Sequence, residues 1–395
     1  MYARASAGTN ATEKENVSAT ETRGNRYPSP CCTHLRMEPS TVAEQITAAA
    51  LESTLDLESP PTVRSCWRPA AGSVAETFVV ALETGGDRKQ HASAVPERVV
   101  CKLGGASVWT GDVIEPLVLG QVSELSSLPV PAVIASGSIE IDSGDGLASG
   151  DRWALYEFRD GQNAGECYHT HGATARRRLV AQAGTALGQL HSLGEDDSEL
   201  EFDRVGGLAR DTGTEETAET QRRKTRTARK NAGTLELTEL ECWHALDPPA
   251  RLRSALPVPL AGDDGCRPVL THGDFQPSNL LVTPAGDITA ILDWGNAHVT
   301  HDEYALARAE VRFVDLHARR FSRAERERLR TAFRRGYTAH APLSDEFDER
   351  APSYKLLWAL QSGANYTRIV RSARGRQQLW RQCQRLLGRD AMATP

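Results

Sequence analysis

A chain of 395 residues, of which 39% are hydrophobic and 25% charged, is long enough to form two units with their own cores. Its net charge of −6 argues against a dedicated nucleic-acid binder, and no apolar run approaches the roughly 18 residues of a membrane-spanning helix. The eight scattered cysteines include no C-x-x-C pair, which is typical of reduced thiols. We therefore expect a cytoplasmic protein without a membrane or nucleic-acid partner.

The N-terminal 36 residues differ from the rest of the chain. Residues 1–36 are rich in Ala, Ser, Thr, Glu and Arg and lack the apolar stretch of a secretory signal, so we expect a disordered extension. Thr41 and Glu44 then form a capping-box pattern, and apolar residues follow at helical spacing. This pattern predicts a helix that ends at about residue 55.

Short apolar runs separated by turn-rich stretches follow this helix and predict a small sheet. The predicted strands are Cys66–Arg68, Thr77–Leu82, Arg98–Leu103 and Trp153–Phe158. A helix is predicted over Glu115–Leu125, with Pro116 in its first turn, where a missing N–H costs little. Residues 136–151 are rich in Gly, Ser and Asp and are predicted to be a loop. Residues 37–158 are expected to form the first lobe.

The pattern becomes mainly helical after residue 161. One apolar stripe consists of Leu179, Ala183, Ala186 and Leu190. Two longer helical stretches, Arg308–Ala339 and Tyr354–Leu387, have arginine-rich outer faces, whereas residues 200–250 are polar and irregular. A sheet-rich first part and a helical second part, residues 159–390, indicate an α+β fold.

A polar run followed by a predicted hairpin contains the most informative residues. The run Thr271–Asn279 includes Asp274, and Asp293 follows the hairpin. Two apolar runs flank the turn-forming residues 284–287, so we expect Thr283 to pair with Ile288 in an antiparallel ladder. In this register Asn279 faces residue 292, so the side chains of Asn279 and Asp293 can share a divalent cation, with Asp274 just upstream.

This arrangement resembles a known family of small-molecule kinases. An Asp-x-x-x-x-Asn spacing, followed by an aspartate at the end of the next strand, is that of the kinase catalytic loop and metal-binding aspartate. His272-Gly273-Asp274 and Asp293-Trp294 are similar to the motifs of the aminoglycoside phosphotransferase and choline kinase family. The resemblance implies a two-lobed, protein-kinase-like fold with a small antiparallel sheet in the N-lobe and a mainly helical C-lobe.

The resemblance also implies an activity and roles for these residues. The expected reaction is the transfer of the γ-phosphoryl group of ATP, with Mg²⁺, to a hydroxyl of a small molecule. Asp274 would accept the hydroxyl proton, and Asn279 and Asp293 would hold the magnesium ion. The residues do not indicate which alcohol is phosphorylated, nor the oligomeric state.

A lysine on a strand of the first lobe is the expected phosphate ligand. The chain has only six lysines, and Lys102 lies on a predicted strand where kinases place one to hold the α and β phosphates. Its acidic partner is expected on the next helix. Glu115 is our first choice, and Glu124 is the alternative.

Three further residues complete the predicted nucleotide site. Ser73 precedes the second predicted strand and is expected to approach phosphate in place of a longer glycine loop. Tyr156 and Phe158 end the strand that leads into the second lobe, so their backbone is expected to contact adenine and their side-chain identity to matter little.

The acceptor side departs from the family pattern. Members of the family often carry Tyr-Asp-Leu-Ala, but Ala305 replaces the aspartate here, and Asp302 or Glu303 could substitute for it. A polycationic aminoglycoside needs several carboxylates, whereas the C-terminal helices are rich in arginine. If some of these arginines, such as Arg319, Arg320, Arg323, Arg328 and Arg330, face the cleft, a neutral or anionic acceptor is favoured.

Three other functions compete with this hypothesis. A nucleotide-binding regulator without turnover fits the reduced glycine loop and the missing aspartate at position 305. A protein kinase shares the catalytic spacing, but no Ala-Pro-Glu follows Asp293, and helices resume within about ten residues. A metal-dependent hydrolase using His272 and Asp274 lacks the further ligands such a centre needs.

Overall fold

The computed structural model describes residues 38–69, 76–83, 95–104, 111–138, 152–193, 202, 205–210, 227–229, 235–238, 267–364 and 381. The expected disorder of residues 1–36 and the predicted phosphate contact of Ser73 lie outside these residues. None of the helices described is both long enough and apolar enough to cross a membrane. The division of the chain at residue 158 stays a prediction.

The described residues form seven α-helices and thirteen β-strands. The helices are α1 Pro39–Thr54, α2 Gly111–Leu125, α3 Ala164–Cys167, α4 Ala173–Ser192, α5 Asp302–Phe313, α6 Arg323–Thr338 and α7 Phe347–Ala364. The strands are β1 Val63–Trp67, β2 Glu76–Leu82, β3 Arg98–Leu103, β4 Val133–Ser138, β5 Arg152–Glu157, β6 Gln162–Asn163, β7 Gly206–Arg210, β8 Thr227–Arg229, β9 Leu235–Thr238, β10 Pro268–Thr271, β11 Leu280–Val282, β12 Ile288–Ile291 and β13 His298–His301. Short 3₁₀ turns cover Pro277–Asn279, Trp294–Asn296 and Asp315–His317.

The N-terminal sheet is antiparallel, with strand order β1-β2-β3-β5-β4. Alternate residues of its strands face opposite sides, because side chains along a strand have a period of two. Val99, Cys101 and Leu103 of β3 therefore pack in one core cluster with residues of α1. Val100 and Lys102 lie on the other side of the sheet, where a cleft opens.

The second half is mainly helical and carries two further antiparallel sheets. One sheet has the order β10-β13-β7-β9-β8, and the other has the order β12-β11-β6. Helices α4 and α6 pack together, and the predicted stripe on α4 is buried. A sheet-rich first part followed by a helical part confirms the predicted α+β fold.

Two predictions in the first lobe were wrong. Helix α2 begins at Gly111, so Pro116 lies inside the helix, where it removes one backbone hydrogen bond, and not in the first turn. Strand β4 occupies residues 133–138, the last three of which we had predicted as loop. Strand β3 has the predicted ends, and the ends of the remaining predicted strands shift by at most three residues, which is ordinary for element ends.

The predicted helix Arg308–Ala339 is in fact two helices. Helix α5 ends at Phe313, and α6 starts at Arg323 after Ser322, whose hydroxyl accepts a hydrogen bond from the backbone N–H of Glu325. The predicted helix Tyr354–Leu387 is observed within α7 as far as Ala364. Residues 365–380 and 382–387 lie outside the described part of the chain.

Candidate active site

A cleft of about 560 Å³ contains seven of the eight predicted site residues. It is lined by both the N-terminal sheet and the β11–β12 hairpin. The predicted residues that line it are Lys102, Glu115, Tyr156, Phe158, Asp274, Asn279 and Asp293. Residues that lie up to 191 positions apart in the sequence therefore meet at one cavity.

Lys102 and Glu115 form an ion pair at the back of the cleft. The ammonium nitrogen of Lys102 lies 2.8 Å and 2.9 Å from the two carboxylate oxygens of Glu115. Burial lowers the pKa of Lys102, but the charges of Glu115 and then Asp293 outweigh it, so the pKa is raised and the ammonium stays charged. Glu115 also accepts a hydrogen bond from the backbone N–H of Trp294 at 3.0 Å, which connects the two lobes. The alternative partner, Glu124, is exposed.

A buried histidine and a glycine shape the loop that carries Asp274. One ring nitrogen of His272 lies 2.8 Å from the carbonyl oxygen of Leu292, and the other accepts the N–H of Asp274 at 3.3 Å. Burial lowers the pKa of His272, which favours the neutral ring that this pairing needs. Gly273 has φ +77°, and a Cβ there would lie 1.7 Å from the carbonyl oxygen of Asn296. The loop therefore requires glycine between the histidine and the aspartate.

Three side chains donate to the carboxylate of Asp274. Arg312 Nη2 donates to Oδ1 at 2.8 Å, and Gln276 Nε2 donates to Oδ2 at 2.7 Å. Asn279 Nδ2 donates to the backbone carbonyl of Asp274 at 2.8 Å and to Oδ2 at 3.3 Å. Our sequence analysis found Asp274 and Asn279 but missed Arg312 and Gln276.

The hairpin brings Asn279 and Asp293 to the same end of the cleft. Leu280 pairs with Ile291, and the N–H of Leu292 donates to the carbonyl of Asn279 at 2.8 Å, so the predicted register holds at this end. A bulge after Leu281 shifts the turn by one residue, so the predicted pairing of Thr283 with Ile288 was wrong.

The donor set of Asn279 and Asp293 fits magnesium. The amide nitrogen of Asn279 is used by Asp274, which leaves its carbonyl oxygen for a cation. Asp293 has left-handed backbone, with φ 65°, and its half-exposed carboxylate lies 3.6 Å from the ammonium of Lys102. Among the described residues no three His, Cys, Asp or Glu side chains form a metal cage. Two hard oxygen donors suit Mg²⁺, which keeps several waters and binds phosphate oxygens.

The side chain of Tyr156 contributes to the site more than we expected. Its ring centre lies 5.6 Å from the ammonium of Lys102, a cation–π distance. Burial, followed by the charge of Glu115, raises the pKa of its hydroxyl well above the ordinary value. Phe158 lines the cleft and carries the guanidinium of Arg98 over its ring at 4.0 Å. The backbone contact of Tyr156 and Phe158 with adenine stays a prediction.

The proposed substitutes for the missing family aspartate are engaged elsewhere. Asp302 pairs with Arg267 at 3.1 Å, and Glu303 pairs with Arg350 at 2.6 Å, and neither carboxylate lines the cleft. The arginines named in the sequence analysis do not line it either. Arg319, Arg320, Arg323 and Arg328 are exposed, and Arg330 pairs with Glu310 and Asp315.

Comparison with known proteins identifies the class. The family model described as "Phosphotransferase enzyme family" (APH) matches residues 118–352, more than half of the chain. The chain therefore belongs to this phosphotransferase family, which confirms the resemblance that its motifs indicated. A search of curated proteins found no match.

Two solved structures have similar folds. A candidate aminoglycoside phosphotransferase from Ralstonia eutropha JMP134 is 13% identical with a TM-score of 0.51, and the match covers 88% of this chain and 96% of that one. A microcompartment-associated aminopropanol kinase is 16% identical with a TM-score of 0.50, over 88% of this chain and 95% of that one. At these identities the similarity shows the fold alone, and this fold is the predicted two-lobed one.

Proposed function

We propose that the protein is an ATP- and Mg²⁺-dependent phosphotransferase that transfers the γ-phosphoryl group to a hydroxyl of a small molecule. One observation carries the proposal: Asp274, Asn279, Asp293 and the Lys102–Glu115 pair all line one cleft. These are the residue types that phosphoryl transfer needs, since its catalysis rests mainly on positioning and on electrostatic stabilisation.

Each residue has a distinct proposed role. Lys102, oriented by Glu115, holds the phosphates of the nucleotide. The carbonyl oxygen of Asn279 and the carboxylate of Asp293 hold magnesium, which supplies charge neutralisation on the transferred group when bound. Asp274 orients the acceptor hydroxyl and accepts its proton as the new oxygen–phosphorus bond forms and the bond from the γ-phosphorus to the leaving ADP oxygen breaks.

The short connection after Asp293 supports a small-molecule acceptor. Helix α5 starts at Asp302, nine residues after Asp293, which leaves no room for the activation segment that protein kinases use to bind peptides. The similar aminopropanol kinase is named for a small alcohol. A protein acceptor is the less supported alternative.

The direct test uses labelled ATP and a pool of small metabolites. Purified protein is incubated with γ-labelled ATP, Mg²⁺ and a cell extract freed of macromolecules, and labelled products are identified by mass. We expect a phosphorylated product from the wild type and a loss of about 10²–10⁴-fold in Asp274→Asn, because that change removes the base. Asp345→Asn, at an exposed aspartate outside the cleft, is the matched control.

The same experiment separates the enzyme from a regulator without turnover. Both functions predict that ATP with Mg²⁺ raises the melting temperature. A labelled product made equally well by Asp274→Asn would contradict the proposed mechanism. Binding of ATP without any product from the wild type would favour the regulator, which the alanine at position 305 motivates.

A further inference from the structure

Arg312 contacts the proposed base from a distant part of the chain. It lies near the end of α5, 38 residues after Asp274, and its Nη2 donates to Oδ1 of Asp274 at 2.8 Å. Its Nη1 donates to the side-chain oxygen of Gln276 at 2.7 Å, and Gln276 donates in turn to Oδ2 of Asp274 at 2.7 Å. The three side chains thus form a closed ring of hydrogen bonds that contacts both carboxylate oxygens.

The guanidinium of Arg312 is held in place by its surroundings. Its side chain is only 20% exposed, and the guanidinium carbon lies 5.2 Å from the ring centre of Trp358 on α7. Its buried Nε has no hydrogen-bond partner among the described residues. A buried, stacked guanidinium has few alternative rotamers, so it can hold the carboxylate of Asp274 in one orientation.

The ion pairing of Arg312 differs from that of the structural arginines nearby. Arg334 pairs with Glu310 and Asp348, and Arg350 pairs with Glu303 and Glu346. Arg312 has one carboxylate partner among the described residues, which is Asp274. A desolvated cation is costly unless it is well paired. Stability alone therefore explains Arg312 poorly, since its only acidic partner within the described part of the chain lines the cleft.

We propose that Arg312 is a positioning residue that fixes the carboxylate plane of Asp274 for the attacking hydroxyl. This inference rests on the proposed function. An ionised carboxylate has about four lone-pair sites. Arg312 occupies one on Oδ1, and Gln276 and Asn279 occupy those on Oδ2, which leaves a site on Oδ1 for the acceptor. Because a misplacement of about 1 Å can reduce a rate about 10²-fold, an unheld carboxylate at position 274 is a much poorer base. Arg312 stays protonated throughout and exchanges no proton with the acceptor.

Three variants test this role. Arg312→Met keeps an unbranched side chain against Trp358 but removes the charge and the donors. Arg312→Lys keeps the charge but cannot bond Asp274 and Gln276 together as the guanidinium does. Arg335→Met is the matched control, because Arg335 is exposed on α6, lies outside the cleft and has no ion pair within the described residues. For each variant we would measure kcat and KM for ATP with the labelled acceptor found above, and the melting temperature.

The expected result is a split between kcat and KM. In Arg312→Met, kcat falls about 10²-fold while KM for ATP changes by less than about threefold, because the nucleotide side of the cleft is untouched. Arg312→Lys recovers about tenfold of the loss, and Arg335→Met behaves as the wild type. The melting temperatures of all three variants stay within a few degrees of the wild type.

Other results would overturn the inference. Full activity in Arg312→Met contradicts it, and so does a loss that appears equally in Arg335→Met. A loss of activity that follows a large fall in melting temperature or a rise in KM for ATP indicates a structural role only. A wild type that binds ATP but gives no product defeats the proposed function itself, and the role of Arg312 falls with it.

Discussion

Two buried lysine–glutamate pairs in this molecule have the same chemistry and different surroundings. Lys102 and Glu115 are 2.8 Å apart in the cleft, and Lys355 and Glu310 are 2.7 Å apart between α5 and α7. In the cleft, one cation lies between two carboxylates, since Lys102 also approaches Asp293. In the helical lobe the ratio of cations to carboxylates is reversed. Glu310 is fully buried there and is contacted by three cations.

The difference shows which ion pair is available for chemistry. Glu310 is enclosed by protein on all sides, so its pairs with Lys355, Arg334 and Arg330 can contribute only to the packing of the helices. Lys102 lines an open cavity and can exchange part of its pairing for phosphate oxygens. Short distance and burial alone would not have told these pairs apart.

The largest expected effect is on stability at Glu310. Glu310→Gln removes the buried carboxylate that Lys355, Arg334 and Arg330 share, and losing one partner of a buried ion pair typically costs about 3–5 kcal/mol. We expect a fall of this size in the free energy of unfolding, measured by urea denaturation. Glu327→Gln, at an exposed carboxylate on α6, should cost less than about 1 kcal/mol. Equal losses of unfolding free energy in Glu310→Gln and Glu327→Gln would contradict the expected difference between a buried and an exposed carboxylate.

The pair in the cleft should show its effect in activity. Lys102→Met removes a preorganised cation from the phosphate site, and such losses typically reduce turnover by about 10²–10³-fold. The free energy of unfolding should fall by less than in Glu310→Gln, because Lys102 lines the open cleft and its second carboxylate partner, Asp293, is half exposed. Phosphoryl transfer and urea denaturation measured on the same sample check both statements. A stable Lys102→Met with wild-type transfer would contradict the assignment.

Acid should weaken the helical pair in a defined pH window. Burial raises the pKa of Glu310, but Lys355 and then Arg334 outweigh it and lower the pKa from 4.5 to about 2. Since the folded-state pKa lies below the unfolded one, the unfolded chain binds more protons in this window, and stability falls as the pH falls from about 4.5 toward 2. Glu310→Gln should flatten this dependence by up to about 1.4 kcal/mol per pH unit. Parallel curves of unfolding free energy against pH for the wild type and Glu310→Gln would contradict the expectation.

The smallest expected effect concerns the ring beneath Lys102. Tyr156→Leu removes a cation–π contact worth about 0.5–2 kcal/mol, so KM for ATP should rise by roughly two- to thirtyfold. Tyr156→Phe keeps the ring and should remain close to the wild type. If KM for ATP rises as much in Tyr156→Phe as in Tyr156→Leu, the hydroxyl beside Glu115 matters and the ring does not.

The Lys102–Glu115 pair was predictable from the sequence. Lysine is rare in this chain, so Lys102 on an alternating strand stood out, and the run Glu115-Pro116-x-x-Leu119 resembles the family pattern. Local spacing was also sufficient to bring Asn279 and Asp293 together, because a hairpin fixes its own register. The contact of Arg312 with Asp274 could not be found in this way, since nothing local distinguishes Arg312 from Arg308, the other arginine of α5.

The errors in the fold have physical causes. Strand β4 ends in Ser136-Gly137-Ser138, a composition typical of a loop, yet the indole of Trp153 on β5 packs where a Cβ of Gly137 would lie, at 2.8 Å. A cross-strand contact of this kind has no signature within β4 itself. The break between α5 and α6 did have a sequence signature, because Ser322-x-x-Glu325 is a capping-box pattern that marks the start of a helix.

The backbone at Asp293 places stability and catalysis in opposition. A left-handed conformation costs most L-residues about 1–2 kcal/mol, and aspartate tolerates it better than most. A glycine would relieve that strain while deleting the proposed magnesium ligand. Where selection for phosphoryl transfer is lost, substitutions that stabilise the fold would therefore replace this aspartate. Selection for phosphoryl transfer would preserve it.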